Sequence, residues 1–368
     1  MHVALIVDEE RLLHEHTTLN RLSIGLIGEG VQLTRIIPDL LPSQAVDAGE
    51  QRVALATKLQ APMKVLPWVR RERAERLLEA LEKGLPDVLY ALGNDAWSLG
   101  LDLARATNRP LVVDMWSAEQ IRRAPRGRRA AAVAGYVAPT RPMAEALRQR
   151  VEPDLVCLVP PGVASPAAPR SILPDPDKAI ALAIIGGGRD MPAYRALLGG
   201  LSRVVREMPQ VQAFLELCGP HEHEIWRHAH DLELLQNVSA ITDAAQHRSL
   251  LTRCDLLLMP ERYGELRSIM LEAMACGMPV LAGDDPFLDM LVDGESAMIV
   301  PATEPDEWGR QLTRLLTEPE AARAIGLAGR ERIASHHRSS DHVSRLLETF
   351  ERITSGGAYP FDANEGPS

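Results

Sequence analysis

The stretch that decides the fold is Pro260-Glu-Arg-Tyr-Gly-Glu-Leu-Arg-Ser-Ile-Met-Leu-Glu-Ala-Met-Ala-Cys-Gly-Met-Pro-Val-Leu-Ala-Gly283. An apolar run, Leu256-Leu-Leu-Met259, precedes it and reads as a buried strand. A polar turn around Gly264 leads into a short helix through Glu272 and Ala275, Gly277 stands at a helix-stop position, and Pro279-Val-Leu-Ala282 starts another strand. A strand, turn, helix and strand in this order aim a helix N-terminus at the carboxyl edge of a parallel sheet, the edge that takes phosphorylated ligands. Gly264, Glu265, Arg267 and Ser268 lie at the helix start, where free amides and the helix dipole suit a diphosphate. Glu272 sits among Ile269, Met270, Leu271, Ala273 and Met274. It reads either as a surface glutamate of an amphipathic helix or as a carboxylate that accepts two hydrogen bonds from a vicinal diol.

On both sides of this stretch the pattern alternates. Val3–Val7, Val31–Ile37, Val88–Leu92, Pro110–Asp114, Ala130–Val137 and Val156–Val159 read as strands, with helices between them that include Arg70–Lys83, 96–106 and 142–149. Short continuous apolar runs of this kind suit strands covered on both faces. Pro160-Pro-Gly-Val-Ala-Ser-Pro-Ala-Ala-Pro169 and Leu173-Pro-Asp-Pro-Asp177 can continue neither helix nor sheet and read as a linker. Alternation restarts with strands at Ala179–Ile185, Val211–Cys218 and Val238–Ile241 and ends in helices near 304–316, 318–336 and 340–353. The expected fold class is therefore α/β, with two doubly wound Rossmann-like domains facing each other across a cleft. Their boundaries are 1–163, a Pro-rich linker over 164–178, 179–338, a last helix over 339–355 and a loose tail over 356–368.

The composition narrows the function. With 46% hydrophobic residues, 368 residues suffice for two cores, and a net charge of −10 argues against a nucleic-acid partner. Cys157, Cys218, Cys254 and Cys276 are far apart and form no CxxC, as expected of free thiols in a reducing, cytoplasmic setting. The N-terminus runs straight into a strand without a basic n-region, so no signal peptide is expected, and no apolar run is long enough to span a bilayer. Peripheral membrane contact stays open. Gly186-Gly-Gly-Arg189 follows a strand, so its amides can approach a phosphate, with Arg189 and then Arg195 adding charge. His221 and His223 do not share the i,i+4 face that a metal pair needs, and no metal or other cofactor is expected.

Leu271-Glu-Ala-Met-Ala-Cys-Gly-Met-Pro-Val280, following a strand that ends in Pro260, resembles the donor-site signature of glycosyltransferase family 4, of the GT-B fold. Pro160–Val163, Leu291–Pro301 and Thr303–Ile353 resemble the family's flanking segments, and the last helix of such proteins packs back toward the N-terminal domain. The resemblance implies sugar transfer from a nucleotide-sugar donor, with retention of configuration and without a bound metal. The acceptor, a glycan, a lipid-linked group or a small molecule, would lie on the N-terminal domain. Glu272 falls on the glutamate that binds the ribose hydroxyls. The family's first glutamate falls on Gly264, with Glu265 one residue after it and Glu261 three before. Arg189 matches the family's arginine. Its lysine falls on Tyr194, beside Arg195. The histidine expected after the Pro110–Asp114 strand falls on Trp116, and Asp8-Glu-Glu-Arg11 stands where a glycine-rich loop is expected. These departures raise an alternative, a catalytically degenerate GT-B protein that binds nucleotide or glycan without turnover. A GT-B-like nucleotide-sugar epimerase is a third reading.

Overall fold

The computed structural model describes residues 1–39, 56–81, 84–169, 179–241 and 247–356. The part of the expected linker over 170–178, Glu82 and Lys83 of the expected helix, and the tail beyond 356 lie outside the described residues. The chain forms two compact units, Met1–Gly162 with Ser339–Ser368, and Val163–Arg338.

Among the described residues the first unit holds a seven-stranded, all-parallel sheet in the order β3-β2-β1-β4-β5-β6-β7. Its strands are β1 (His2–Val7), β2 (Gln32–Ile37), β3 (Thr57–Gln60), β4 (Val88–Leu92), β5 (Leu111–Asp114), β6 (Val133–Ala138) and β7 (Val156–Leu158). Every residue of β1, β4 and β5 is buried, which is why these strands read as unbroken apolar runs. β3 is different: Thr57-Lys-Leu-Gln60 is an exposed edge strand, and its polar composition gave no strand signal. The helices are α1 (Glu9–Gly28), α2 (Arg70–Ala80), α3 (Asn94–Thr107), α4 (Ala118–Arg123) and α5 (Arg141–Arg148). The order reverses between β1 and β4, so the carboxyl ends of these two strands flank the switch point of the sheet.

Among the described residues the second unit repeats the plan with six parallel strands in the order β10-β9-β8-β11-β12-β13. They are β8 (Ile180–Ile184), β9 (Val211–Glu216), β10 (Val238–Ile241), β11 (Leu256–Met259), β12 (Val280–Gly283) and β13 (Met298–Val300). The helices are α6 (Met191–Glu207), α7 (Glu222–Asp231), α8 (His247–Arg253), α9 (Ser268–Ala275), α10 (Pro305–Thr317) and α11 (Pro319–His336). Here the switch point lies between β8 and β11. The last helix, α12 (Ser339–Ser355), belongs to the first unit and gives Val343, Leu346 and Phe350 to its core, with the Phe350 ring edge-on to Tyr90 at 5.4 Å.

α9 explains the character of the signature stretch. All eight of its residues are buried, so it is apolar all round, apart from Ser268 at its start and Glu272. It stops in a Schellman motif: Gly277 takes φ +79°, its N–H reaches the Met274 carbonyl at 2.8 Å, and the Met278 N–H reaches the Ala273 carbonyl at 3.0 Å. A side chain at Gly277 would be strained in this conformation, and Pro279 then ends any continuation of the helix. Among the described residues no helix is long and apolar enough to cross a membrane.

Candidate functional site

The switch point of the second unit gathers most of the residues singled out by sequence. The turn after β8 carries Gly186-Gly-Gly-Arg189, and the loop after β11 runs from Glu261 to Arg267. Gly188 has φ +63° and Gly219 has φ +78°. A Cβ on Gly188 would lie 1.8 Å from the Cys218 carbonyl oxygen, and one on Gly219 would lie 2.0 Å from that of Gly187. The turns after β8 and β9 therefore pack backbone to backbone, which only glycine permits. α6 starts just beyond, with the Asp190 carboxylate accepting the Ala193 N–H at 3.2 Å as its N-cap.

The amides of this turn have a partner that the sequence reading did not assign. One carboxylate, that of Glu261, accepts from the Gly187 and Arg189 N–H groups at 2.5 Å each and from Asp190 N–H at 2.9 Å. A second carboxylate, Asp285 just after β12, accepts from the N–H of Gly264 at 2.6 Å and from that of Phe287 at 2.9 Å. Gly264 itself has φ +61°. Burial pushes the Asp285 carboxyl up, against the pull of these two amides.

Arg267 is reached by a different logic from the one expected. It lies at the N-cap of α9, but its guanidinium is only 2% exposed and turns inward. It holds Glu216, at the end of β9, through Nη2 to Oε1 at 3.0 Å and Nη1 to Oε2 at 3.4 Å, and Glu265 lies 3.5 Å from Nη1. Glu216 also accepts the Gly186 N–H at 3.1 Å. Glu216, Glu265 and Arg267 thus form one buried ionic group that ties the β9 end, the β8 turn and the α9 start together. Glu265, 8% exposed, approaches the glycine turn: a Cβ on Gly187 would meet its Oε2 at 2.8 Å. The recess lined by Gly186, Gly187, Glu261, Tyr263, Glu265, Arg267 and Asp285 holds a volume of about 20 Å³, room for one water.

The remaining residues take distinct positions. Ser268 and Glu272 are buried on α9, at 8% and 6% exposure. Arg189 is half-buried on the glycine turn, and its carbonyl accepts the Tyr263 hydroxyl at 3.4 Å. Arg195 projects from α6 into solvent and pairs with Glu224 of α7 at 2.5 Å. Tyr194, at the position where the resemblance puts a lysine, is fully buried with its hydroxyl against the glycine turn, and burial pushes that hydroxyl well above its ordinary value. Of the residues that complete the site, Glu261 and Asp285 are carboxylates next to strand ends, which is a weak signal. Glu216 reads from sequence only as part of the Val211–Cys218 strand.

His221 Nδ1 lies 3.2 Å from Glu224, His223 is solvent-exposed, and no group of three His, Cys, Asp or Glu side chains that could hold a metal occurs among the described residues.

The switch point of the first unit is built from acids. Asp8 caps α1 by accepting the Arg11 N–H at 3.0 Å, and its other oxygen accepts the Asp95 N–H at 3.2 Å. It lies over Gly93, φ +99°, where a Cβ would collide with the carboxylate at 2.0 Å. Asp114 receives Arg11 Nη2 and the Tyr90 hydroxyl, each at 2.9 Å, and the Arg11 guanidinium lies 5.0 Å from the Trp116 ring centre. Burial pushes the Asp8 carboxyl from 3.8 up to about 6, outweighing the two amides. The folded state therefore keeps a proton that the unfolded chain has released. The associated stability is fully present below about pH 4, is lost as the pH rises through 6, and stays lost above that. Its size is roughly 3 kcal/mol. Asp8→Asn should flatten this part of the profile. Urea unfolding of both proteins between pH 4 and pH 7 checks it, and parallel profiles would count against a buried, protonated Asp8.

Residues 198–332, which span α9 and the loop before it, match the family described as Glycosyl transferases group 1. D-inositol 3-phosphate glycosyltransferase of Segniliparus rotundus is 28% identical over 224 residues, 56% of this chain and 49% of that protein, so the chain spans about half the length of the curated relatives it matches. Among solved structures, Anabaena Alr3699/HepE in complex with UDP-glucose aligns with a TM-score of 0.76 at 16% identity, covering 96% of this chain and 99% of that one. Sucrose-phosphate synthase from Thermosynechococcus elongatus aligns with a TM-score of 0.73 at 16% identity, covering 97% and 100%.

Proposed function

We propose that the protein moves a sugar from a nucleotide-sugar donor to an acceptor with retention of configuration, on the premise that residues 198–332 match the group 1 glycosyl transferases and the chain has the GT-B fold of HepE and sucrose-phosphate synthase. The observation that carries this reading is the β8–β11 switch point, where a glycine turn rich in backbone amides, the loop leading into α9 and the Glu265 carboxylate converge.

In this reading Glu272 binds the ribose hydroxyls, and Glu265 supplies the contact to the donor sugar from one register later than expected. Arg189, Arg195 and the amides from Gly264 to Ser268 take the diphosphate, and fixed positive charge aimed at the departing phosphate lowers the barrier to transfer. The Arg195–Glu224 pair is exposed and of little energetic value, so exchanging Glu224 for a phosphate costs little. Arg267, bound to Glu216, acts by holding Glu265 in place. The first unit would receive the acceptor, whether a glycan, a lipid-linked group or a small molecule. Four free cysteines support a reducing, cytoplasmic setting. The second reading, binding without turnover, draws support from the carboxylates of Glu261 and Asp285, which already engage amides of the site.

A panel of UDP-, GDP- and ADP-sugars tests the proposal. The matching donor at a hundred times its Kd should stabilise the fold by about 2.7 kcal/mol, and free nucleoside diphosphate should then accumulate. Stabilisation without release would favour the binding-only reading, and neither effect with any donor would sink the enzyme reading for those donors. Glu272→Ala should weaken donor binding roughly 10- to 100-fold, the range for a charged hydrogen-bond partner. Unchanged binding would remove Glu272 from the ribose site.

A further inference from the structure

We propose that Glu261 is an internal stand-in for a phosphate group. Its carboxylate occupies the amide cradle of the β8 turn, and a diphosphate binds there by displacing it and releasing the loop that carries it. The inference rests on the donor-site reading above and adds to it a lock that the ligand must open.

Three features support it. First, both carboxylate oxygens are used, and they take three amides from a four-residue span: Gly187 to Oε2, and Arg189 and Asp190 to Oε1. Successive N–H groups converging on one anion at a glycine turn form the arrangement that ordinarily holds phosphate. Second, the glycines leave no alternative filling. A Cβ on Gly186 would lie 2.5 Å from the Tyr194 hydroxyl and 3.0 Å from Glu261 Oε2, so the space beside the turn is shaped around the carboxylate. Third, the first part of the loop is fastened at two points. Glu261 ties it to the β8 turn, and the Gly264 N–H ties it to Asp285 beyond β12. The Tyr263 hydroxyl adds a long bond to the Arg189 carbonyl.

The consequence is competition for one set of donors. A phosphate oxygen that takes the amides of Gly187, Arg189 and Asp190 leaves the Glu261 carboxylate without them, beside a second negative charge. Repulsion between the two anions then drives the loop away from the turn. With the lock closed the recess has room for a single water, so displacement also provides the volume a ligand needs. Binding is therefore weaker than the open cradle would give, by the fraction of molecules in which the lock is open.

The test uses the full chain, with pyrophosphate and with UDP, GDP and ADP as probes in titration calorimetry. Glu261→Ala should bind pyrophosphate at least tenfold more tightly than the wild type, with Glu261→Gln between the two. Equal or weaker binding in both variants, with cooperative unfolding retained, would overturn the lock. If the variants do not fold, hydrogen exchange on the wild type decides. Saturating pyrophosphate should speed exchange of the 261–264 segment, and unchanged or slower exchange would refute its release. The two readings fail separately. Tighter pyrophosphate binding by Glu261→Ala, with no nucleoside diphosphate bound by either protein, would uphold the lock and reject the nucleotide site. Equal binding of a nucleoside diphosphate by both proteins would uphold the nucleotide site and reject the lock.

Discussion

Arg267→Met is expected to cost about 3–5 kcal/mol of stability in the second unit, the range for removing one partner of a buried ion pair. The guanidinium and both carboxylates it serves are almost entirely out of water, with Arg267 and Glu216 at 2% exposure and Glu265 at 8%. Methionine preserves much of the volume but leaves Glu216 and Glu265 as buried charges facing each other. Most of the loss comes from that uncompensated charge rather than from the lost bonds, so Glu216→Gln placed in the same protein should restore a good part of it. Arg267→Lys should rescue only in part, because an ammonium cannot span both Glu216 oxygens as the fork does. Equilibrium urea unfolding of the four proteins measures the effect. A loss under about 1 kcal/mol, the size typical of exposed pairs, would mean that water reaches the cluster.

Gly188→Ala should destabilise the second unit by about 2–4 kcal/mol, through two contributions that can be separated. One is the left-handed backbone at φ +63°, about 1 kcal/mol for alanine. The other is the new methyl group, 1.8 Å from the Cys218 carbonyl oxygen. That oxygen belongs to backbone and cannot rotate away, so the two turns must move apart at an overpacking cost of about 1–3 kcal/mol. Gly294 supplies the control: it has φ +72° and open space around its Cβ position, so Gly294→Ala carries the conformational cost alone. Thermal unfolding of both variants gives the difference, and equal losses would show that the turns separate freely. Because Gly187, Arg189 and Asp190 share the moving turn, Gly188→Ala should also lower affinity for any anion held there.

The residues that made the fold legible are those whose surroundings are uniform along the chain. Val3–Val7 and Leu256–Met259 are buried on both faces, so no polar residue interrupts them, and unbroken apolar runs alternating with helices imply parallel sheets. Gly277 was readable as a helix stop because its φ of +79° is a local demand that glycine meets. β3 was not readable, since a polar strand at an edge follows no period that distinguishes it from a loop.

The site was legible in position and not in pairing. Gly264, Glu265, Ser268 and Glu272 belong to one local motif; Gly264 and Glu265 lie on the loop beside the glycine turn, and Ser268 and Glu272 are buried on α9. The partners of Glu261 lie 71 to 74 residues away and Glu216, which holds Arg267, lies 51 away, and no local pattern carries that information. Arg267 illustrates the difficulty. Just before a helix, an arginine reads as a charge aimed at a ligand, and only the strand ending in Glu216 turns it inward.

The placement of α12 has a consequence for how the protein is made. The first unit is discontinuous: its core needs Val343, Leu346 and Phe350, which are synthesised only after the whole of Val163–Arg338. Val343 packs so closely on α1 that a Cβ on Gly25 would lie 2.6 Å from it. At ordinary ribosomal rates the interval before α12 emerges is on the order of ten seconds or more. Through that interval the second unit is being completed while the first presents a bare apolar seam. The unit begun first is thus the last to close, and chaperone demand during synthesis falls on the face that α12 will cover.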